Sequence, residues 1–145
     1  MCNAKVCVIT GASGGIGAAV VKKYYKNDYK VVMLDINEQA LKNLVERESF
    51  EPERVAYKVL DVSSEQQVID TISAIKQEQG RIDVLVNTAG IIGKYDETID
   101  YSFEIFRKIY EINVFGTFLM MKYCIPVMKK NGKGAIVNTC SCSGM

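Results

Sequence analysis

The sequence predicts an α/β protein built on a doubly wound parallel sheet, and three observations carry that prediction. Five short β-branched runs are mostly continuously apolar rather than alternating, the pattern of strands covered on both faces. Between them lie segments with apolar residues at helical spacing, so strand and helix alternate as right-handed crossovers require. The residue closing each run is polar, namely Thr10, Asp35, Asp61, Asn87 and Thr139, at intervals of 25, 26, 26 and 52. In such a sheet the carboxyl ends of the strands share one edge, so these five positions are expected to converge on one ligand crevice.

The first strand, residues 6–9, leads into Thr10-Gly11-Ala12-Ser13-Gly14-Gly15-Ile16-Gly17 and a helix carrying Ile16, Val20 and Tyr24 on one face. Gly11 permits a tight turn, Gly15 lets backbone amides approach a pyrophosphate, and Gly17 allows close packing beneath the helix. The spacing is G-x-x-x-G-x-G rather than GxGxxG, and glycine also serves ordinary turns. Its place directly after the first strand is what makes it a phosphate cradle.

The second strand, residues 31–34, closes at Asp35, eighteen residues beyond Gly17 and near the separation at which an acid accepts hydrogen bonds from an adenosine ribose. An aspartate there repels a 2′-phosphate. No Arg or Lys stands at residues 12–14, or at Ile36 and Asn37, to compensate, which favours NAD over NADP. The alternative for Asp35 is to cap the next helix, a task Asn37 could equally take.

The remaining elements follow the same logic. Leu41, Leu44 and Val45 mark a second helix beginning after Asn37, and residues 55–60 a third strand. Ser64, with Gln67 three residues on, caps a helix carrying Val68, Ile72 and Ile75. Residues 84–86 form a fourth strand. The doubled last interval leaves room for a loop over residues 90–101 and a long helix over residues 102–129, before a fifth strand at residues 135–137.

Composition narrows the chemistry. The 145 residues are 48% apolar and 24% charged, the profile of one domain over residues 1–145, without a linker or low-complexity tract. Eighteen basic against seventeen acidic residues give a net charge of +1, so nucleic acid is not an expected partner. The absence of histidine excludes a Ser-His-Asp triad and the commonest zinc ligand. Five cysteines without CxxC spacing suit a reducing cytoplasm, and Cys140 and Cys142 are expected to point into packing on either side of Ser141 rather than to hold a metal. The longest apolar stretch, residues 114–128, is interrupted by Lys122 and Pro126, so no membrane span is expected. Asn113 interrupts the same stretch, where an unpaired amide would cost about 1 to 3 kcal/mol. Asn87 and Asn138 read as ties between loops at the sheet edge.

With these motifs in place, the chain resembles the short-chain dehydrogenase/reductase family from the glycine-rich turn to its last residue. Asp61-Val62 looks like the family's adenine-contacting pair, and Asn87-Thr88-Ala89-Gly90 like its Asn-Asn-Ala-Gly segment, with Thr88 replacing the second Asn. Residues 111–116 resemble the helix segment bearing an active-site Asn, at Asn113, and residues 134–144 resemble the strand-five run bearing a catalytic serine, at Ser141. The resemblance implies a Rossmann-like fold and hydride transfer between NAD(H) and an alcohol or carbonyl substrate. It implies cofactor contacts at Gly11, Ser13, Gly15, Ile16, Gly17, Asp35, Ile36, Asp61, Val62, Asn87, Ala89 and Gly90, with homodimers or homotetramers at full length.

The family's proton-transfer pair, Tyr-x-x-x-Lys, is not in these 145 residues: no lysine has a tyrosine four places before it. In the family that pair follows the serine by about a dozen residues. The chain is therefore expected to be the N-terminal part of an oxidoreductase, inactive alone, with the fifth strand at a sheet edge prone to association. A non-catalytic NAD-binding or interaction module is the alternative.

Overall fold

The computed structural model describes residues 4–141. Five parallel strands, β1 (Val6–Thr10), β2 (Lys30–Asp35), β3 (Val55–Val59), β4 (Val84–Asn87) and β5 (Ala135–Asn138), form one sheet in the order β3-β2-β1-β4-β5. Helices α1 (Gly15–Lys26), α2 (Glu38–Glu48) and α3 (Glu65–Gln79) connect the first four strands. The order reverses beside β1, so a crevice opens at the carboxyl ends of β1 and β4.

Each face of the sheet has its own core, and β1 serves both by strict alternation. Val6 and Val8 join Val68, Ile72, Ile75 and Met120 on one side, and Cys7 and Ile9 join Val21, Leu41 and Leu44 on the other. Strands β1, β2 and β4 are covered on both faces along almost their whole length, as continuous apolar runs require. The edge strands differ: β3 is half-buried and β5 is largely exposed, because each has a neighbour on one side only. An edge strand of four uncharged residues without proline invites pairing with other chains. The 145-residue chain is expected to associate at high micromolar concentration in sedimentation, and Val137→Lys, at a half-exposed position on that edge, to shift it toward monomer.

Helix starts are set by side-chain chemistry. The Asn37 Oδ1 accepts from the Ala40 amide at 2.9 Å, so Asn37 rather than Asp35 caps α2, and Ser64 and Ser102 cap the helices that follow them. The single helix expected over residues 102–129 is instead three consecutive segments, α4 (Phe103–Tyr110), a π-helical turn (Glu111–Gly116) and α5 (Thr117–Lys130). Widened turns of this kind concentrate at functional sites. This one carries Asn113 and brings Gly116 against the loop after β3, where a Cβ would lie 2.6 Å from Val62 Cγ2. Along the outer face of the same run, Phe103, Phe106, Tyr110, Val114 and Phe118 are exposed.

Candidate dinucleotide site

Two layers build the crevice, a polar girdle centred on buried Thr10 and Asn87 and the loops it holds. Thr10, buried at the end of β1, accepts hydrogen bonds on its hydroxyl from the amides of Thr88 and Ala89, both at 3.2 Å. The Thr88 hydroxyl returns a bond to the Thr10 carbonyl at 2.5 Å. Asn87 donates to Asn138 Oδ1 at 2.9 Å, and its carbonyl accepts from the Thr139 hydroxyl at 3.0 Å. The strand-end residues of β1, β4 and β5 are thus stitched to one another, and Asn87 and Asn138 are the ties their sequence context suggests.

The glycine turn rests on this girdle. Gly11 has φ +61°, and a Cβ there would lie 2.7 Å from the Ala89 amide nitrogen; a Cβ on Gly17 would lie 2.1 Å from the Gly11 carbonyl oxygen. Gly15 differs, because a Cβ there would meet nothing within 4 Å. Protein packing therefore demands glycine at residues 11 and 17, and leaves the space over Gly15 open.

Helix α1 begins at this open space, and its N-terminus is unlike those of α2, α3 and α4. Each of those three has a side-chain cap and an acid in its first turn. The first turn of α1 has no acid and no side chain caps it. Its leading amides and the positive end of its dipole are left for an anion from outside the protein.

A cavity of about 370 Å³ extends from the glycine turn along the ends of β2, β3 and β4. Gly11, Ser13, Asp35, Ile36, Asp61, Val62, Ala89 and Gly90 line it. Gly14, Asn37, Leu60, Thr88 and Ile112 line it too, and sequence reasoning did not single them out as site residues; Ile91, in the loop after Gly90, lines it beside them. Gly15 and Ile16 lie exposed at the start of α1, while Gly17 and Asn87 are buried beneath. One Asp35 oxygen, Oδ2, accepts from the Ser13 amide at 3.0 Å and the Ser13 hydroxyl at 2.7 Å, and the other, Oδ1, from the Asn37 amide at 3.0 Å. Asp61 Oδ1 accepts from the amide and hydroxyl of Ser63.

Asn113 lies half-buried in the π-helical turn, with both ends of its amide satisfied. Its Oδ1 accepts from the Ile91 amide at 2.9 Å, and its Nδ2 donates to the Ile91 carbonyl at 3.0 Å. This clamps the loop after β4 against the helix run. Ser141 is exposed, two residues past Thr139, and does not line the cavity. Cys140 is exposed as well, contrary to the expectation that it packs inward, because β5 ends at Asn138 and the alternation ends with it. Cys2 and Cys142 lie outside the described residues. Cys7 and Cys124 are buried, and burial drives the Cys7 thiol far above its ordinary range and pushes that of Cys124 up to about 12. Neither serves as a nucleophile. No group of side chains fit to hold a metal occurs among the described residues, and no helix among them is long and apolar enough to cross a membrane.

The glycine turn, the uncapped α1 and the acid ending β2 together suit a dinucleotide, and comparison with known proteins agrees. The chain is 34% identical over 141 residues to the 3-oxoacyl-[acyl-carrier-protein] reductase FabG of Thermotoga maritima, covering 97% of this chain and 57% of that protein. It superposes on the NADP-bound structure of ElxO with a TM-score of 0.91 at 36% identity, covering 97% of this chain and 57% of the other. It superposes on NAD+-bound xylitol dehydrogenase with a TM-score of 0.89 at 35% identity, covering 97% and 54%. The chain spans about half the length of the curated relatives it matches. The short chain dehydrogenase family matches it over residues 5–145, and with the strand order, the glycine turn and the cavity in agreement, the chain belongs to that family.

Proposed function

We propose that the protein is an oxidoreductase that moves a hydride between NAD(H) and a small-molecule alcohol or ketone, and that these residues supply its cofactor-binding half. The observation that carries this reading is the start of α1, which unlike those of α2, α3 and α4 has neither cap nor acid, opening onto a cavity edged by Asp35. Bound there, a nicotinamide cofactor supplies the hydride chemistry, and the chain's own residues hold and orient it. Amides of Gly15, Ile16 and Gly17 face the diphosphate. Asp35 accepts from a ribose hydroxyl, and its charge disfavours a 2′-phosphate, so NAD is the proposed cofactor over NADP. Ile36 and Val62 flank the adenine, with Asp61 at its edge. Ala89 and Gly90, held by Thr10, Thr88 and Asn87, border the far end.

For the substrate end, Ser141 donates a hydrogen bond to the carbonyl oxygen and Asn113 keeps the loop after β4 in place. Proton transfer is assigned to a Tyr-x-x-x-Lys pair, which these residues do not contain. The exposed apolar face of α4 and α5 supports assembly into a homodimer or homotetramer, and the lack of histidine and of any metal-binding cluster among the described residues is compatible with this chemistry.

Calorimetric titration with NAD+ tests the reading. Saturable binding in the micromolar to millimolar range, without turnover of secondary alcohols by residues 1–145 alone, is the expected result. Absence of NAD+ binding by a folded chain would contradict it. A non-catalytic NAD-binding module is favoured in its place if a polypeptide carrying Tyr-x-x-x-Lys downstream binds NAD+ and reduces or oxidises no alcohol or ketone in a broad screen.

A further inference from the structure

We infer that Ser13 is a positioning residue that sets cofactor preference by acting through Asp35. The inference rests on the dinucleotide reading above and adds to it a residue whose contact is with another side chain. A carboxylate offers about four lone-pair sites. Three of those on Asp35 are taken: the Ser13 amide and hydroxyl both donate to Oδ2, and the Asn37 amide donates to Oδ1. Oδ2 is committed to the glycine turn, and one site on Oδ1 is left for a ligand.

The consequence is mechanical. Asp35 lies at the end of β2, and Ser13 at the tip of the turn between β1 and α1, twenty-two residues away in sequence. Two donors on one oxygen fix both the position and the plane of the carboxylate, and hydrogen bonds to an ionised group are the strong ones. Asn37 cannot substitute for Ser13 in this, because its amide adjoins Asp35 in the chain and bonds the opposite oxygen. Without the Ser13 hydroxyl, the carboxylate keeps one donor on Oδ2 and gains freedom to swing toward solvent. A carboxylate that can swing away presents less charge to a 2′-phosphate and a less ordered acceptor to a ribose hydroxyl. Both effects move the NAD:NADP preference in the same direction.

The test is a double-mutant cycle read as the ratio of NAD+ to NADP+ affinity by calorimetry, using the wild type, Ser13→Ala, Asp35→Ala and the double variant. The ratio is expected to fall about tenfold in Ser13→Ala, the loss of one charge-assisted hydrogen bond. In the Asp35→Ala background the Ser13 change is expected to leave the ratio unmoved, and Ser13→Thr, which keeps the hydroxyl, to retain the wild-type ratio. Binding of NAD+ by the wild type with an unchanged ratio in Ser13→Ala overturns this inference alone. An equal change in the Asp35→Ala background also overturns it, since Ser13 would then act on the cofactor directly. A folded wild type that binds neither nucleotide overturns the dinucleotide reading and this inference with it.

Discussion

Gly17→Ala is expected to destabilise the protein by about 3 kcal/mol or more and to abolish NAD+ binding, the largest effect of any single methyl group in the site. The added Cβ would lie 2.1 Å from the Gly11 carbonyl oxygen and 2.8 Å from the Ala12 Cα, and both neighbours are backbone. No rotamer relieves such a contact. Helix α1 would have to lift from the turn, and Gly11 cannot yield in the opposite direction, since it already abuts Ala89 at a positive φ. Gly15→Ala is the control that separates packing from ligand binding. Its Cβ meets no protein atom, and alanine is the better helix former by up to about 1 kcal/mol, so stability is expected to hold or rise slightly. NAD+ affinity is nonetheless expected to fall at least about tenfold, because the methyl group would occupy the space over the α1 amides where a diphosphate approaches. Urea unfolding and calorimetry on the two variants check this. Unchanged NAD+ affinity in Gly15→Ala would remove the diphosphate from that position, and wild-type stability in Gly17→Ala would refute the close approach of helix and turn.

The contrast between these two glycines also marks how far sequence reasoning reaches. Strands β1, β2 and β4 were legible because burial on both faces leaves an uninterrupted apolar run, and α2 and α3 because Asn37 and Ser64 cap them by local chemistry. Gly11 and Gly17 were legible because a turn between a buried strand and a helix has few solutions, and Asp35 because its spacing from Gly17 is set by one β-α-β unit. The π-helical turn left no such mark: an i→i+5 widening depends on where Gly116 and Asn113 must meet Val62 and Ile91, contacts spanning 54 and 22 residues. Leu60 and Ile112 escaped notice for a related reason, since an apolar residue lining a cavity reads in sequence like an apolar residue in a core. The edge position of β5 is as expected, but the exposure of Cys140 follows from β5 ending at Asn138, an end that the run of Ala135, Ile136 and Val137 does not encode.

Asp83→Ala, at the far end of the sheet from the cofactor cavity, is expected to cost about 3 kcal/mol at neutral pH and less at pH 3. Asp83 is buried just before β4, where its carboxylate accepts from the Val6 amide at 2.8 Å and from Arg81 through two guanidinium nitrogens at 2.8 and 2.5 Å. Its own amide donates to the Val6 carbonyl, and its carbonyl accepts from the Ala135 amide. One residue therefore pins β1, β4 and β5 at their amino ends, and the pairing of Thr10 with Asn87 and of Asn87 with Asn138 at the other end depends on that register. Removing the carboxylate strands a buried amide and leaves Arg81 without this partner. Burial opposes the charge on Asp83, but the Arg81 guanidinium, the Val6 amide and nearby Lys5 outweigh it and hold the carboxyl below its usual range. A depressed folded value means the stabilisation is fully present above the unfolded value of about 4 and is lost as pH falls through the folded one. The wild type should therefore lose stability below about pH 4 more steeply than Asp83→Ala, with Asp83→Asn, which keeps an acceptor but not the charge, between them at neutral pH. Denaturant unfolding of the three proteins at pH 7 and pH 3 decides the matter. Parallel stability curves across that range would show that the charge on Asp83 does not hold the register on which the cofactor site is built.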